Sequence, residues 1–417
     1  MTPEIRFAGV FDRDSGDQSH SEVKRLRGKT GLANLREIAR QFEERFGNAP
    51  RIFRAPGRVN LIGEHTDYNE GFVMPAAVEF SSLVAISPRT DRKLLIQSNQ
   101  FPGDLEFDVD HLPAQRTSTW GDYVLGVALV LRQHGSDLQG ANLLVHGNVP
   151  IGSGLSSSAS IEVASALAFI SLDNKRFSLP EIAKICRQAE NEYVGARVGI
   201  MDQFVSCMGR AGHALLLDCR SLDFQFAHIP AGIELVVCNT MVKHDLATGA
   251  YNQRRAECEE GVRYFAKADP AIRALRDVSS EMLERIGGDL PPTIRMRCTH
   301  VIRENQRTLH AARALAEGDL ARMGKLMRES HESLRDLYQV SCRELDAMVD
   351  AAQGLPGFIG GRMTGGGFGG CTVNLLREEN ATDFAAQIAQ RYHQATGITP
   401  QIYPCHAANG AQELSLS

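Results

Sequence analysis

The sequence predicts an α+β fold built from two domains, on three observations. The chain has 417 residues, more than the roughly 100–200 residues of a typical domain. Hydrophobic residues make up 43% and charged residues 23% of it, which is ordinary for a globular protein with a sizeable core. Segments of helical and strand patterning are mixed without the strict strand–helix alternation that a doubly wound sheet requires.

The first half begins with a polar stretch, residues 1–30, which we interpret as a loosely ordered extension. Apolar residues at helical spacing predict a helix over Leu32–Phe46. Pro56-Gly57 then interrupts a short mixed segment. Strands are expected at Leu83–Ser87, Lys93–Ser98 and Ala141–His146.

Two further helices are expected before residue 200. Ile161–Leu172 is apolar on nearly every side, so it reads as a buried helix. It lies in the most apolar long stretch of the chain, Ala159–Leu172, which Glu162 interrupts. Leu179–Val194 is the second, with Ser178 as its N-cap and Glu181 three residues later, as in a capping box.

The second half predicts strands and a block of helices, then a glycine-dense segment at Gly360–Gly370. The strands are Ile233–Asn239 and Cys371–Leu376, and the helices are Ala250–Ala266, Thr299–Ala316, Leu320–Ser330, Ser333–Ala352 and Thr382–Thr396.

Charge and cysteine content exclude several functions. A net charge of −5 argues against nucleic acid as a partner. The nine cysteines are scattered without a CxxC pair, so we expect free thiols in a reducing cytoplasm. The N-terminus has no basic segment followed by a long apolar core, and no apolar run approaches the ~20 residues of a membrane helix. We therefore expect a cytoplasmic protein with no signal peptide and no membrane partner.

A glycine- and serine-rich segment, Val149–Ser160, precedes the buried helix. Glycines let backbone N–H groups approach anionic oxygens, and a following helix adds a partial positive charge at its N-terminus. The segment is neither GxxxxGK[ST] nor GxGxxG. Taken alone, it could equally be a flexible turn with a serine cap.

Three segments together resemble the galactokinases of the GHMP kinase superfamily. Arg54–Asn69 (RAPGRVNLIGEHTDYN) is similar to the galactokinase signature, Pro150–Ser160 to the superfamily's phosphate loop, and Gly361–Thr372 to its third motif. GIMDQF at Gly199–Phe204 and SHESLRD at Ser330–Asp336 also resemble galactokinases, although Leu337 stands where many relatives carry a second Asp.

This resemblance implies a two-domain fold with the active site between the domains. An N-terminal ribosomal-protein-S5-like domain would span 31–230, and a C-terminal ferredoxin-like GHMP kinase domain would span 231–417. The implied reaction is ATP-dependent phosphorylation of D-galactose at its anomeric C1 hydroxyl, giving α-D-galactose 1-phosphate and ADP in galactose catabolism. We expect a monomer whose partners are galactose and ATP.

The resemblance also assigns residues to the sugar. Carboxylates are strong acceptors for sugar hydroxyls, and the compact EHTD run supplies two of them. The implied sugar-binding residues are Glu64, His65, Thr66, Asp67, Gly199 and Tyr251.

For the chemistry, the resemblance makes Asp202 the group that accepts the C1 hydroxyl proton, with Arg58 as its partner. An arginine beside a carboxylate keeps it ionised and stabilises charge on the transferring phosphoryl group. Whether Asp202 removes the proton or orients the hydroxyl stays open, as does a purely structural ion pair.

ATP and Mg²⁺ complete the expected site. The ATP-binding residues are Gly152, Ser153, Gly154, Leu155, Ser156, Ser157 and Ser158. Ser158 and Glu190 would hold Mg²⁺, since two protein oxygens with phosphates and waters suit an octahedral ion; Glu192 is a nearby competitor. The third motif would close over the phosphates or shape the cleft floor, or form a tight turn between helix and strand.

Two alternatives remain. One is a related sugar kinase acting on N-acetylgalactosamine or arabinose. The other is a non-catalytic galactose sensor, which the complete Ser156–Ser160 run disfavours.

Overall fold

The computed structural model describes residues 32–150, 154–243 and 247–415. Its helices are α1 (Leu32–Phe46), α2 (Asp122–Gln133), α3 (Ser157–Ser171), α4 (Leu179–Ala189), α5 (Met201–Met208), α6 (Ala247–Ala268), α7 (Ser280–Ile286), α8 (Pro292–Glu317), α9 (Leu320–Ser333), α10 (Arg343–Ala352) and α11 (Ala381–Thr396). Wider, π-type turns follow α4 at Glu190–Val194 and α9 at Leu334–Tyr338.

The strands are β1 (Arg51–Asn60), β2 (Phe72–Val73), β3 (Pro75–Pro88), β4 (Lys93–Ser98), β5 (Leu105–Asp108), β6 (Ala141–Gly147), β7 (His213–Asp218), β8 (Phe224–His228), β9 (Ile233–Lys243), β10 (Phe358–Thr364), β11 (Gly369–Arg377), β12 (Gln401–Cys405) and β13 (Gln412–Leu414). In the described part of the chain they form sheets ordered β13-β1-β3-β6-β4-β5, β10-β11-β9-β12 and β2-β7-β8. Neighbouring strands in these sheets are antiparallel, except β4 and β6, which are parallel to each other. The mixture of helices with largely antiparallel sheets confirms the predicted α+β class.

Helices α2 to α5 cover one face of the first sheet. Val84 and Leu143 of the sheet share a buried cluster with Leu125, Val163 and Ile185 of these helices. On the other face α1 packs through Phe42. The apolar residues whose spacing predicted α1 therefore lie on the face that the helix buries. The predicted bounds of α1 are confirmed.

The two halves share core residues rather than only touching at a cleft. Val59 of β1 and Leu61, which directly follows that strand, lie in one buried cluster with Leu235 and Val373 of the second sheet. The last strand, β13, pairs with β1 of the first sheet. The division near residue 230 stays a prediction, with the chain's final strand lying in the sheet of the first half.

The interruption expected at Pro56-Gly57 is wrong, because β1 continues to Asn60 with a bulge between Pro56 and Arg58. A bulge accommodates proline within a strand because the local ladder is already broken. Gly57 is required there, since a Cβ would lie 2.5 Å from the carbonyl oxygen of Leu155.

Two helix predictions also change in detail. The capping box of Ser178 and Glu181 is confirmed, but the α-helix it starts ends at Ala189 and continues as the wide turn. The helix expected over Ser333–Ala352 is interrupted because Gln339 adopts a φ of 56°, a left-handed conformation that cannot continue a helix.

Candidate active site

Two adjoining cavities share a wall. The larger has a volume of about 370 Å³ and the smaller about 290 Å³. Both are lined by Arg58, Asp202 and the turn Gly366–Phe368. Asp202 therefore faces the groove, as the sequence interpretation requires.

Arg58 and Asp202 form a two-pronged ion pair on this wall. Arg58 Nε donates to Asp202 Oδ1 at 2.8 Å, and Nη2 donates to Oδ2 at 2.6 Å. The third nitrogen, Nη1, donates to the Gly154 carbonyl at 2.6 Å. The Arg58 side chain is 6% exposed and that of Asp202 is 26% exposed. Parallel bonds of this kind fix both the distance and the plane of a carboxylate.

The backbone around the pair is fixed by contacts from three elements. Arg58 follows the β1 bulge, and its N–H donates to the Leu155 carbonyl at 3.0 Å. Asp202 lies in the first turn of α5, and Ser206 on that helix donates to the Pro56 carbonyl at 2.7 Å. The strand, the serine loop and α5 therefore meet where the pair forms.

The described part of the serine loop, Gly154–Ser158, lines the larger cavity. Gly152 and Ser153 lie outside the described residues. Ser156 has a φ of 60° and its hydroxyl donates to Asp202 Oδ2. Helix α3 begins at Ser157. Unpaired N–H groups of a first helical turn are suited to anionic oxygens.

An aromatic wall on the larger cavity was missed by sequence reasoning. Phe101 and Trp120 are stacked, with centroids 5.4 Å apart and planes at 21°, and both line the cavity together with Tyr123. Trp120 Nε1 is buried without a hydrogen-bond partner among the described residues. No motif surrounds Trp120, and the signal available was that it is the only tryptophan of the chain.

The smaller cavity collects most of the predicted sugar-binding residues, namely Glu64, His65, Asp67, Gly199 and Tyr251. Glu64 Oε1 accepts from the Gly365 N–H at 2.7 Å. Burial raises the pKa of Glu64. The Tyr251 ring packs 5.4 Å from the His65 ring.

His65 is already engaged on both ring nitrogens. Nδ1 lies 2.8 Å from the Tyr68 hydroxyl, and Nε2 lies 3.2 Å from the Gly366 carbonyl. Burial lowers the pKa of His65 to about 3, so the ring is neutral. A neutral ring that donates to Gly366 accepts from Tyr68, so His65 holds the cavity wall through two fixed bonds.

Asp67 and Gly199 lie in direct contact. A Cβ on Gly199 would be 1.8 Å from Asp67 Oδ2. Burial, followed by the nearby charge of Asp202, raises the pKa of Asp67 to about 7.

Thr66 departs from the prediction. Its side chain is fully buried and does not line the smaller cavity. The hydroxyl lies 2.8 Å from the Gly63 carbonyl and 2.7 Å from that of Phe72. These two contacts show that the Thr66 hydroxyl helps to shape the EHTD turn.

Ser158 and Glu190, the two residues predicted to hold the metal, are joined by a side-chain hydrogen bond. Burial and the charge of Asp202 raise the pKa of Glu190 to about 7, while hydrogen bonds from Ser158 and Gln203 act in the opposite direction. Glu192, the competing carboxylate, is exposed and accepts from Gln188 at 2.9 Å. Hydroxyl and carboxylate oxygens beside an excess of negative charge fit a hard divalent cation such as Mg²⁺. The described residues contain no group of three or more His, Cys, Asp or Glu placed to hold a metal, so phosphates and waters would supply the other ligands.

The third motif is a turn between two strands, β10 and β11, and not between helix and strand. Thr364 and Gly366–Gly370 line the larger cavity, and Gly365–Phe368 line the smaller one. Its backbone also binds Glu64 and His65. The turn therefore separates the two cavities.

Comparison with known proteins agrees with this geometry. Family models match as the galactokinase galactose-binding signature over residues 40–88, the GHMP kinases N terminal domain over 122–210 and the GHMP kinases C terminal over 311–394. A galactokinase of Chloroflexus aggregans is 49% identical over 380 residues, covering 91% of this chain and 97% of that protein. A galactokinase of Roseiflexus sp. is 46% identical over 375 residues, covering 90% and 96%. The chain belongs to the galactokinase family.

Solved structures confirm the two-domain GHMP kinase fold. The crystal structure of Lactococcus lactis galactokinase complexed with galactose matches with a TM-score of 0.88 and 34% identity, covering 91% of this chain and 100% of that one. Methanococcus jannaschii mevalonate kinase matches with a TM-score of 0.61 at 19% identity, covering 87% and 99%, and so shares the fold.

The galactokinase relationship also confirms that the chain is a kinase enzyme. No helix in the described ranges combines the length and apolar character needed to cross a membrane. The monomeric state and the cytoplasmic location stay predictions.

Proposed function

We propose that this galactokinase transfers the γ-phosphoryl group of ATP to the C1 hydroxyl of D-galactose, giving α-D-galactose 1-phosphate and ADP. The observation that carries the proposal is the Arg58–Asp202 pair on the wall between the cavities. A group that faces both cavities can contact a hydroxyl in one and a phosphoryl group in the other.

The larger cavity is the proposed ATP site. Its serine loop offers backbone N–H groups and hydroxyls to the phosphates. Its aromatic wall offers a stacking surface for a flat base, and the unpartnered N–H of Trp120 offers a donor to a base nitrogen.

The smaller cavity is the proposed galactose site. Glu64 and Asp67 supply carboxylate oxygens for hydroxyl groups. Because Glu64 Oε1 is held by Gly365, its orientation does not depend on the sugar. An acceptor fixed in advance loses little entropy on binding.

In the reaction, the C1 oxygen attacks the γ-phosphorus and the bond from this phosphorus to the β–γ bridging oxygen breaks. The proton of the C1 hydroxyl passes to the Asp202 carboxylate. Arg58 holds that carboxylate in a fixed orientation through two hydrogen bonds. Its positive charge also stabilises the charge that develops on the phosphoryl oxygens. Ser158 and Glu190 would hold Mg²⁺, which supplies neutralisation of phosphate charge when bound.

Neither alternative from the sequence is favoured. The matched signature is one for galactose binding, and both curated relatives described above are galactokinases. A sensor is disfavoured on the same grounds.

The test is ADP release with galactose and with a panel of other hexoses, with the product's phosphate position read by phosphorus NMR. We expect turnover on galactose and a 1-phosphate product. Asp202→Asn keeps the size of the side chain but cannot take up the proton, so kcat should fall by about 10²–10⁴-fold. A loss below about tenfold would assign Asp202 to orienting the hydroxyl alone. Turnover on another sugar but not on galactose would overturn the proposal.

For the metal, Glu190→Gln should raise the Mg²⁺ concentration needed for half-maximal rate, whereas Glu192→Gln should not. Glu192 is the matched control because it lies two residues away on the same turn and is exposed. Equal effects of the two substitutions would move the metal role elsewhere.

A further inference from the structure

A buried polar cluster lies beneath the serine loop, and two of its three side chains have no role in the steps above. It consists of Glu162 on α3, Glu190 on the wide turn after α4, and Gln203 on α5. Gln203 and Glu162 are fully buried, and Glu190 is 6% exposed. Glu162 is the charged residue that interrupts an otherwise apolar helix in the sequence.

Gln203 bridges the two carboxyl groups through one atom. Its Nε2 donates to Glu190 Oε2 at 2.6 Å and to Glu162 Oε2 at 3.1 Å. An amide nitrogen has two N–H bonds pointing in different directions, so one side chain can hold both groups at once. The bond to Glu190 occupies one oxygen and so fixes the rotation of that carboxyl group.

The bridge also links the elements that carry the reaction. Glu162 is four residues after Ser158, which places both on one face of α3. Gln203 directly follows Asp202 on α5, with Asp202 facing the cavities and Gln203 facing the interior. Helix α3, helix α5 and the wide turn after α4 therefore meet at Gln203.

We propose that Gln203 is a positioning residue that, held by Glu162, orients Glu190 for the metal and fixes its separation from Ser158 and Asp202. This rests on the proposed role of Glu190. Partners that hold a metal ligand in place commonly change metal affinity by about 10–100-fold when they are removed. Glu162, Glu190 and Gln203 do not line the smaller cavity, so substrate binding there should not depend on the bridge.

The test is the affinity of the ADP complex for Mn²⁺, titrated by electron paramagnetic resonance, with galactose affinity measured by calorimetry on the same protein. Gln203→Met keeps the length of the side chain and removes both N–H donors. We expect Mn²⁺ to bind about 10–100-fold more weakly, with galactose affinity unchanged. In a Glu190→Gln background the same substitution should add little, because a residue that acts through another has no separate effect.

Glu162 provides a matched pair of variants. Glu162→Gln retains an oxygen that can accept from Gln203, so Mn²⁺ affinity should stay close to that of the unsubstituted protein. Glu162→Met removes the acceptor and should weaken Mn²⁺ binding. This pair decides the question if Gln203→Met does not fold.

Three outcomes overturn the inference: unchanged Mn²⁺ affinity in a folded Gln203→Met, equal losses of Mn²⁺ and galactose affinity, or an undiminished effect in the Glu190→Gln background. If Glu190→Gln alone leaves Mn²⁺ binding unchanged, the metal assignment in the proposed function fails as well. If Glu190→Gln weakens binding and Gln203→Met does not, only the role of Gln203 fails.

Discussion

Oδ2 of Asp67 occupies the space where the side chain of Gly199 would begin, 1.8 Å from the position of a Cβ atom. Gly199 does not have a positive φ, so alanine is excluded by this contact and not by its backbone conformation. We predict that Gly199→Ala displaces the Asp67 carboxylate and raises the KM for galactose by about tenfold or more, a loss of the size expected for one charged hydrogen-bonding group. The KM for ATP should change much less, because Gly199 lines the smaller cavity and does not line the larger one.

Gly288→Ala is the control, since a Cβ there would meet nothing within 4 Å and Gly288 likewise lacks a positive φ. Steady-state kinetics with each substrate varied in turn gives both constants. An unchanged galactose KM in Gly199→Ala would show that Asp67 can move without loss, and that its carboxylate does not bind the sugar.

Much of the fold and part of the site could be predicted from the sequence. Residues close together in the chain, such as Glu64, His65 and Asp67, reach one cavity because the turn that carries them is short. The bounds of α1 could be predicted because its apolar spacing records the face it buries.

Other features depend on contacts between distant segments and leave little local trace. Trp120 reaches the larger cavity by stacking on Phe101, nineteen positions earlier in the chain. The direction of the Thr66 side chain could not be predicted for a different reason. A motif places a residue in a turn but does not say which side of the turn its side chain occupies. The continuation of β1 through Pro56-Gly57 depends on the approach of Leu155, which no local pattern shows.

Arg58→Lys tests whether the geometry of the ion pair matters beyond its charge. Lysine keeps a positive charge but cannot make the parallel pair of bonds to Asp202 together with the bond to the Gly154 carbonyl. We expect kcat to fall by about 10–10³-fold, within the range for losing preorganised charge stabilisation. The KM for ATP should rise, because the serine loop loses its anchor at Gly154.

Arg54→Lys is the matched control, because Arg54 lies on the same strand and lines neither of the two cavities. Its kinetic constants should stay close to those of the unsubstituted protein. Near-normal turnover in Arg58→Lys would mean that charge alone suffices at this position.

The raised pKa of Asp67 predicts a pH-dependent stability of the ligand-free protein. Its pKa is about 7 in the folded protein, against an ordinary value of 3.8. The folded state therefore binds this proton more tightly than the unfolded state does. The contribution of Asp67 to the free energy of unfolding is fully present below about pH 4, and it is lost as the pH rises through about 7. Asparagine carries no such charge, so Asp67→Asn should exceed the unsubstituted protein in unfolding free energy by a few kcal/mol at about pH 8, and by little at about pH 4.

Urea unfolding of the two proteins at a series of pH values measures this difference. Asp104→Asn removes an exposed carboxylate and is the control. The difference between Asp67→Asn and the unsubstituted protein should grow between about pH 4 and pH 7. A constant difference across that window would mean that Asp67 is ionised at all these pH values.

The single tryptophan makes nucleotide binding directly observable. Trp120 lines the larger cavity, is 7% exposed and has a buried N–H without a partner in the described ranges. A base placed on the aromatic wall would change the surroundings of the indole, so ADP should change the intrinsic tryptophan fluorescence in a saturable way. Galactose alone should leave the emission unchanged, since Trp120 does not line the smaller cavity.

Trp120→Phe keeps an aromatic ring but removes the N–H, whereas Trp120→Ala removes the surface as well. If the base stacks there and accepts from the indole, the KM for ATP should rise modestly in the first variant and by about tenfold or more in the second, given about 1–3 kcal/mol for stacking a base on an aromatic ring. Equal and small effects of both variants would place the base elsewhere in the cavity. A fluorescence response to galactose but not to ADP would reverse the assignment of the two cavities.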